Sequence, residues 1–274
     1  MSTVTKALSL LDLFTEARPV IGLSAFQKLT GRDKATVYRQ LRALEQAGFL
    51  EQTPTTRAYR LGHAVARLAE MRQRTVSEAE TLTPIVEEIS RSLGERVHVN
   101  RLVGGGLHQV TQADLGRHAI RVEFEPNLVL PLLTTSSGKA ILAFLPAARR
   151  AALIKAPQDR IDTAPMPSGS DVQAALAQAA KVGYAQSRDS FEMGVASVAI
   201  PLFDAQGAAC AACSVVYPTI RHDSRFLARA VSVLCAQGPG LVARLGGQIP
   251  SRVQQLWQRS VPDIPTMRQE RAQP

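Results

Sequence analysis

Ser136 and Lys139 stand three residues apart, the spacing of a Ser-x-x-Lys nucleophile and its base. The partner motifs of that chemistry, Ser-Asp-Asn and Lys-Thr-Gly, do not follow, so the spacing alone assembles no acyl-transfer site. Gly138-Lys139 could close a phosphate-binding loop, but Leu133 occupies the place of its first glycine. Cys210 and Cys213 have the spacing of a metal or redox pair. They fall in an alternating strand, Ala208–Tyr217, whose side chains at i and i+3 face opposite ways. No second pair completes a site, so both read as small buried residues. The histidines His63, His98, His108, His118 and His222 form no i,i+4 pair. Gly104-Gly105-Gly106 reads as a hairpin turn rather than a dinucleotide loop. The expectation is a chain with no catalytic residues, no metal and no cofactor.

A different chemistry, contact with a polyanion, gathers near the N-terminus. Asp33 suits the cap of a helix over Lys34–Ala47, closed by Gly48. At 100° per residue, Val37, Leu41 and Leu44 share one stripe, while Ala35, Tyr38, Arg39 and Arg42 share the opposite one. Lys34 and Thr36 flank the outward stripe. Such a helix meets base edges with its N-terminal half. Arg39 suits a guanine edge, and Ala35 or Thr36 a thymine methyl. Lys34, Thr36 and Arg42 suit phosphates, which position a protein without reading sequence. A turn at Thr55-Thr56-Arg57, followed by Arg60, adds a basic wing for the adjacent backbone or minor groove. Each residue alone fits a solvated surface equally well; the ordered set favours duplex DNA.

Positioning these residues takes a small helical unit with a hairpin. Ala7, Leu10, Leu11 and Phe14 predict a first helix over Thr5–Glu16, ended by Arg18-Pro19. Ser24 suits the cap of a second over Ala25–Leu29, with Gly31 after it. Phe49–Gln52 and Ala58–Leu61 predict the hairpin strands. The expected organisation is a winged helix-turn-helix over 1–62, a linker helix over 63–76, a second domain over 77–246, and a flexible tail over 247–274. Within the second domain the pattern predicts helices over Glu78–Leu93, Ser137–Phe144, Ala147–Lys155, Asp171–Val182 and Arg225–Leu245, the last capped by Ser224. Strands are predicted over Val97–Val103, Leu107–Ala113, Ile120–Phe124, Tyr184–Ser190, Val195–Phe203 and Ala208–Tyr217, with a loop over Ala156–Ser170.

The charge balance agrees. The net charge is +9 over 274 residues. Residues 1–74 hold 12 Lys and Arg against 6 Asp and Glu, residues 75–245 hold 16 against 15, and residues 246–274 hold 4 against 2. The excess therefore concentrates where a DNA contact is expected. Three widely spaced cysteines imply no disulfide framework. The first residues read as a helix rather than a signal peptide, and uncharged stretches such as Ala205–Ile220 are too short to span a bilayer. A soluble cytoplasmic protein without membrane partners is expected.

In the second domain, Ser136-Ser137-Gly138 lies where a loop enters a helix. Free N–H groups, two hydroxyls and the helix dipole make an anion site there, and Gly138 would let a ligand approach the backbone. Plain capping by Ser136 or Ser137 is the competing explanation.

The order and wording of these segments resemble the IclR family of bacterial transcriptional regulators. The likeness runs through Lys6-Ala7-Leu8, Thr36–Leu41, Ala47-Gly48-Phe49-Leu50 and Tyr59-Arg60-Leu61-Gly62. It continues through Leu130-Pro131-Leu132, Ser136–Ala143, Gly183-Tyr184-Ala185 and Gly194–Leu202, so it covers about residues 5–246. The resemblance implies an α+β protein: an N-terminal winged helix-turn-helix plus a C-terminal GAF-like antiparallel-sheet domain that binds a small effector, often an organic acid. By motif position it implies effector contacts at Ser197, Ser214 and Val216. Ser187 stands where the family often has an acid, Ser190 where it usually has Glu, and Leu133 where it commonly has His. Asp189 and Glu192 keep negative charge nearby. The candidate effector set is thus Ser136, Ser137, Gly138, Ser187, Asp189, Ser197, Ser214 and Val216, suited to a small carboxylate. The implied partners are a palindromic operator and further copies of the chain, as a homodimer or homotetramer. Two other readings are a DNA-binding protein without a ligand, and a small-molecule enzyme carrying a basic appendage.

Overall fold

The computed structural model describes residues 2–15, 17–116, 118–123, 128–156 and 167–261, apart from the side chains of 72–74. It divides into two units, Met1–Ser77 and Glu78–Pro274.

In the first unit, α1 (Thr3–Leu8) is capped by Ser2, whose hydroxyl accepts from Thr5 N–H at 3.1 Å. The helix expected to run on to Glu16 stops at Ser9. The Ser9 hydroxyl donates to the Lys6 carbonyl, and a 3-10 turn over Leu11–Leu13 follows. Such a local bond competes with the helical ladder. The break leaves Leu10 fully buried and sets Phe14 edge-on to Phe26, 5.7 Å between ring centres. Glu16 lies outside the described residues.

Helix α2 (Leu23–Thr30) starts two residues earlier than expected, after Gly22, and Ser24 lies inside it rather than capping it. Gly31 closes it in the left-handed region. Helix α3 (Lys34–Gln46) begins at Asp33, as the capping argument requires. Strands β1 (Leu50–Gln52) and β2 (Tyr59–Leu61) pair antiparallel, Leu50 opposite Leu61, and Ile21 adds a bridge to Tyr59. A Cβ on Gly62 would lie 2.3 Å from the Gly48 carbonyl oxygen, so the wing returns to the end of α3 only because position 62 carries no side chain. Helix α4 (His63–Thr75) follows.

The second unit is a five-stranded antiparallel sheet with helices on both faces. The strands are β3 (Arg96–Val103), β4 (Gly106–Ala113), β5 (Ala185–Arg188), β6 (Val195–Phe203) and β7 (Ala209–Pro218), in the order β4-β3-β7-β6-β5. The helices are α5 (Glu78–Leu93), α6 (Ser136–Ala143), α7 (Ala147–Lys155), α8 (Gly169–Val182), α9 (Ser224–Arg244) and α10 (Ser251–Ser260). Alternation along β6 assigns the faces. Ser197 meets Ser136 of α6. Ile200, of opposite parity, lies against Gly238 of α9. Strand β7 is buried along nearly its whole length, as a central strand covered on both sides must be. Helix α9 is long and apolar enough to cross a membrane by length and composition, but its apolar stripe from Ala230 to Val242 is taken up by the core.

Three expectations change here. Residues 120–123 of the expected strand Ile120–Phe124 are not in a strand, and Phe124 lies outside the described residues. Strand β3 is already paired on both sides, and the Ile120 carbonyl accepts from Arg221 instead. Helix α9 is capped by Asp223 rather than Ser224, its carboxylate accepting from Phe226 N–H. The tail is not flexible throughout. Helix α10 buries Val253 and Trp257, and the Trp257 indole N–H donates to the Gly183 carbonyl at 2.8 Å. Pro250 immediately precedes this helix as its N-cap, so this proline marks a helix start; Pro262, Pro265 and Pro274 lie outside the described residues. Of the expected loop Ala156–Ser170, residues 157–166 lie outside the described residues, and Ser168 caps α8.

Candidate functional site

Two groups of residues, one in each unit, carry chemistry. In the first unit α3 presents the face expected of it. Val37, Leu41 and Leu44 are buried, and Gln40 joins them. Lys34, Ala35, Tyr38, Arg39 and Arg42 are exposed, with Thr36 half-buried. Asp33 Oδ2 accepts from the Thr36 N–H at 3.0 Å and from its hydroxyl at 3.3 Å. The backbone bond is the main reason the Asp33 carboxyl titrates below its usual range. Arg32, singled out by no sequence argument, ties the turn to α1. Its guanidinium donates to the Lys6 carbonyl at 2.7 Å and to Ser9 Oγ at 3.2 Å.

The arginines of this face are not equivalent. Arg42 pairs with Glu45 at 2.7 Å, and Arg60 pairs across the hairpin with Glu51 at 2.6 Å. Arg39 makes only a 3.4 Å contact to Thr36 Oγ among the described residues. Arg57 stands at the wing tip in the left-handed region, with φ 54°. It donates its N–H to the Thr53 carbonyl, which fixes the turn. The exposed surface is thus a cationic helix face whose Arg39 guanidinium is held only by Thr36 and the nearby Asp33 charge among the described residues, with a second arginine on the wing.

In the second unit, His98, Leu130, Thr135, Ser136, Ser137, Ser187, Phe191, Val195, Ser197, Ser214 and Val216 line a narrow recess. The antiparallel register sets Ser197 opposite Val216 and His98 opposite Ser214. Six of the eight candidate effector residues meet here. Gly138 and Asp189 do not line it. A Cβ on Gly138 would fall 2.1 Å from the Leu132 carbonyl oxygen, so this glycine admits the chain before α6 rather than a ligand. Asp189 turns away at φ 53°, accepts the Gly194 N–H at 2.8 Å and lies 3.5 Å from Arg188.

Neither Ser136 nor Ser137 caps α6. Thr135 does so: its hydroxyl accepts the Gly138 N–H at 3.1 Å and donates to the Pro131 carbonyl at 2.7 Å. The Ser136 hydroxyl accepts from Ser197 at 2.7 Å and lies 3.2 Å from Ser214 Oγ. Ser137 Oγ is buried and has no partner among the described residues. A native structure seldom leaves a buried hydroxyl unsatisfied unless something else bonds it. This one sits at a helix N-terminus, where the dipole favours an anion.

His98 is the main residue that sequence reasoning missed. It is buried in β3, and burial, with the Arg96 charge adding to it, pushes its pKa down to about 4. The imidazole is therefore neutral at pH 7. A period-2 reading of β3 against the serine-bearing β7 would have placed it on the pocket face. Leu130, Thr135, Phe191 and Val195 supply the remaining walls.

Other motifs come apart in three dimensions. Ser136 Oγ meets serine hydroxyls and Lys139 meets Ser190, so the Ser-x-x-Lys pair forms no nucleophile–base couple. Burial pushes the Cys213 and Cys235 thiols up to about 12 and raises that of Cys210, which leaves all three protonated and free. Among the described residues no group of His, Cys, Asp and Glu could hold a metal ion.

Residues 71–238 match the family model for the bacterial transcriptional regulator IclR C-terminal domain, and residues 3–54 match that for the IclR helix-turn-helix domain. The chain belongs to the IclR family of bacterial transcriptional regulators. It is 28% identical over 257 residues to the HTH-type transcriptional regulator XynR of Escherichia coli K12, covering 90% of this chain and 98% of that one. The crystal structure of an IclR transcriptional regulator from Silicibacter sp. TM1040 superposes with a TM-score of 0.83 at 36% identity, covering 92% of this chain and 99% of that one. An IclR homologue from Microbacterium hydrocarbonoxydans, solved with 4-hydroxybenzoate, shares the fold at 19% identity and a TM-score of 0.54, covering 89% of this chain and 99% of that one.

Proposed function

We propose that this IclR-family regulator grips operator DNA through Lys34, Ala35, Thr36, Tyr38, Arg39 and Arg42 of α3 with Arg57 and Arg60 of the wing, and that a small carboxylate in the second unit changes that grip. Ser136, Ser137, Ser187, Ser197, Ser214, Val216 and His98 form the effector site. The observation that carries the effector reading is the buried, unpartnered Ser137 hydroxyl in a serine-lined recess at the N-terminus of α6. The homologue solved with 4-hydroxybenzoate supports a carboxylate as the class. Hydroxyl and N–H donors over apolar walls orient a small anion, and the free space limits it to a compact one.

The protein works in the cytoplasm as a homodimer or homotetramer on a palindromic operator, because a two-fold protein matches a two-fold site. It performs no reaction. The ligand binds one arrangement of the oligomer better than another, and the residues 63–76 that join the two units carry the difference. A gel-shift titration with the DNA upstream of the chain's own gene tests the DNA half. A discrete complex that survives excess nonspecific duplex is expected; weak binding insensitive to sequence would refute it.

A further inference from the structure

Lys139 of α6 does not line the recess, and only 8% of its surface is exposed. Burial lowers its pKa. Among the described residues its polar partner is the Ser190 hydroxyl, at 3.4 Å. A buried ammonium facing only a hydroxyl is costly unless another charge comes to it.

The path from this charge to the pocket is short. Ser190 Oγ lies 2.6 Å from Ser187 Oγ, and Ser187 lines the recess. Both hydroxyls also reach the Thr134 carbonyl, at 2.7 Å from Ser187 and 2.8 Å from Ser190. Two hydroxyl protons therefore serve three short oxygen contacts. One arrangement gives each of the two hydroxyls an acceptor: Lys139 donates to Ser190, Ser190 to Ser187, and Ser187 to the Thr134 carbonyl. The same atoms allow a second. The Ser190 proton is shared between Ser187 Oγ and the Thr134 carbonyl, which frees the Ser187 proton to turn into the recess.

We propose that Lys139, Ser190 and Ser187 form a relay of donors that brings the charge of a buried ammonium to the wall of the effector pocket, so that the site selects a carboxylate over its neutral amide. The inference rests on the effector reading above and gives it a charge-selecting residue outside the pocket lining. Lys139 acts through Ser190 and Ser187 and is a positioning residue. Hydrogen bonds to charged groups exceed neutral ones in strength, and chains of them polarise one another. Ser137 Oγ and the start of α6 receive the ligand from the other side.

The test uses the full chain and a panel of two- to seven-carbon monocarboxylates, each with its primary amide, read by thermal shift and then by calorimetry. Wild type is expected to bind one or more carboxylates and to discriminate against the matching amides. Lys139→Met removes the charge, and Ser190→Ala cuts the relay while keeping it. Each is expected to lower the carboxylate-to-amide affinity ratio about tenfold, the scale of one charge-assisted hydrogen bond. If the Lys139 variant fails to fold, the Ser190 variant decides. A folded variant that keeps the wild-type ratio overturns the relay and leaves the effector site standing. A wild-type chain that responds to no carboxylate overturns the effector reading, and the relay with it.

Discussion

The engagement of each arginine on the surface proposed to face DNA predicts a rank order of effects. Arg39 gives up a 3.4 Å contact to Thr36 and a longer-range attraction to the Asp33 carboxylate on meeting DNA, but no ion pair among the described residues. A bidentate arginine–guanine contact is worth about 1–3 kcal/mol of discrimination, or about 5- to 150-fold in affinity. Arg39→Ala should cost that much and relax sequence preference at one position of each half-site. Arg42 and Arg60 must first leave Glu45 and Glu51, pairs whose members are 23–53% exposed. Exposed pairs of this kind are worth about 0–1 kcal/mol, so Arg42→Ala and Arg60→Ala should each cost less than Arg39→Ala. The same reasoning reverses for their partners. Glu45→Gln and Glu51→Gln release an arginine and remove a charge that repels phosphate, so each should tighten binding by up to about fivefold. Fluorescence anisotropy with a labelled upstream duplex, repeated at several salt concentrations, measures all five variants. The argument is refuted if Arg42→Ala weakens binding more than Arg39→Ala, or if the two glutamine variants weaken it.

Three further outcomes follow from the second unit. Gly138→Ala drives a Cβ to within 2.1 Å of the Leu132 carbonyl oxygen; it should destabilise this unit by about 1–3 kcal/mol, as overpacking does, and abolish the carboxylate-induced rise in melting temperature. Trp257→Ala removes a buried indole and its bond to the Gly183 carbonyl. A loss of about 3–5 kcal/mol in denaturant unfolding is expected, whereas a dispensable tail would give none. His98 has its pKa lowered in the fold to about 4 from 6.5, so between those values the unfolded chain binds the proton that the folded chain refuses. Its contribution is whole above pH 6.5 and falls away toward pH 4, by up to about 3 kcal/mol. His98→Gln should flatten the acid side of the stability profile, and a profile unchanged by the substitution would contradict this.

The recognition helix was legible because its stripe is periodic and its cap is local: Asp33, Val37, Leu41 and Leu44 hold their roles within four turns of one chain segment. The serine side chains of the pocket were legible for another reason. Ser136, Ser197 and Ser214 follow motif order, and β6 and β7 sit in simple antiparallel register. What failed depended on partners that no periodicity or motif names. The capping of α6 falls to Thr135 because the Pro131 carbonyl is there to orient its hydroxyl. Gly138 serves the close pass of Leu132, and Asp189 serves a turn closed by Gly194, neither of which spacing reveals. Helix α10 was hidden by prolines on both flanks, while its anchor, Trp257, packs near Phe203 and Gly238, far away in the chain. His98 escaped because a lone histidine in a strand carries no motif; only its place opposite Ser214 makes it part of a site.

The central claim is that ligand in the serine-lined recess and DNA on the α3 face are thermodynamically coupled. The direct measurement is the Kd of the full chain for its upstream duplex with and without a carboxylate that raises its melting temperature, paired with the Kd for that carboxylate with and without the duplex. Coupling requires both to change by the same factor, about 5- to 150-fold for a typical switch. A carboxylate that binds in the recess and leaves the DNA affinity unchanged would contradict the account.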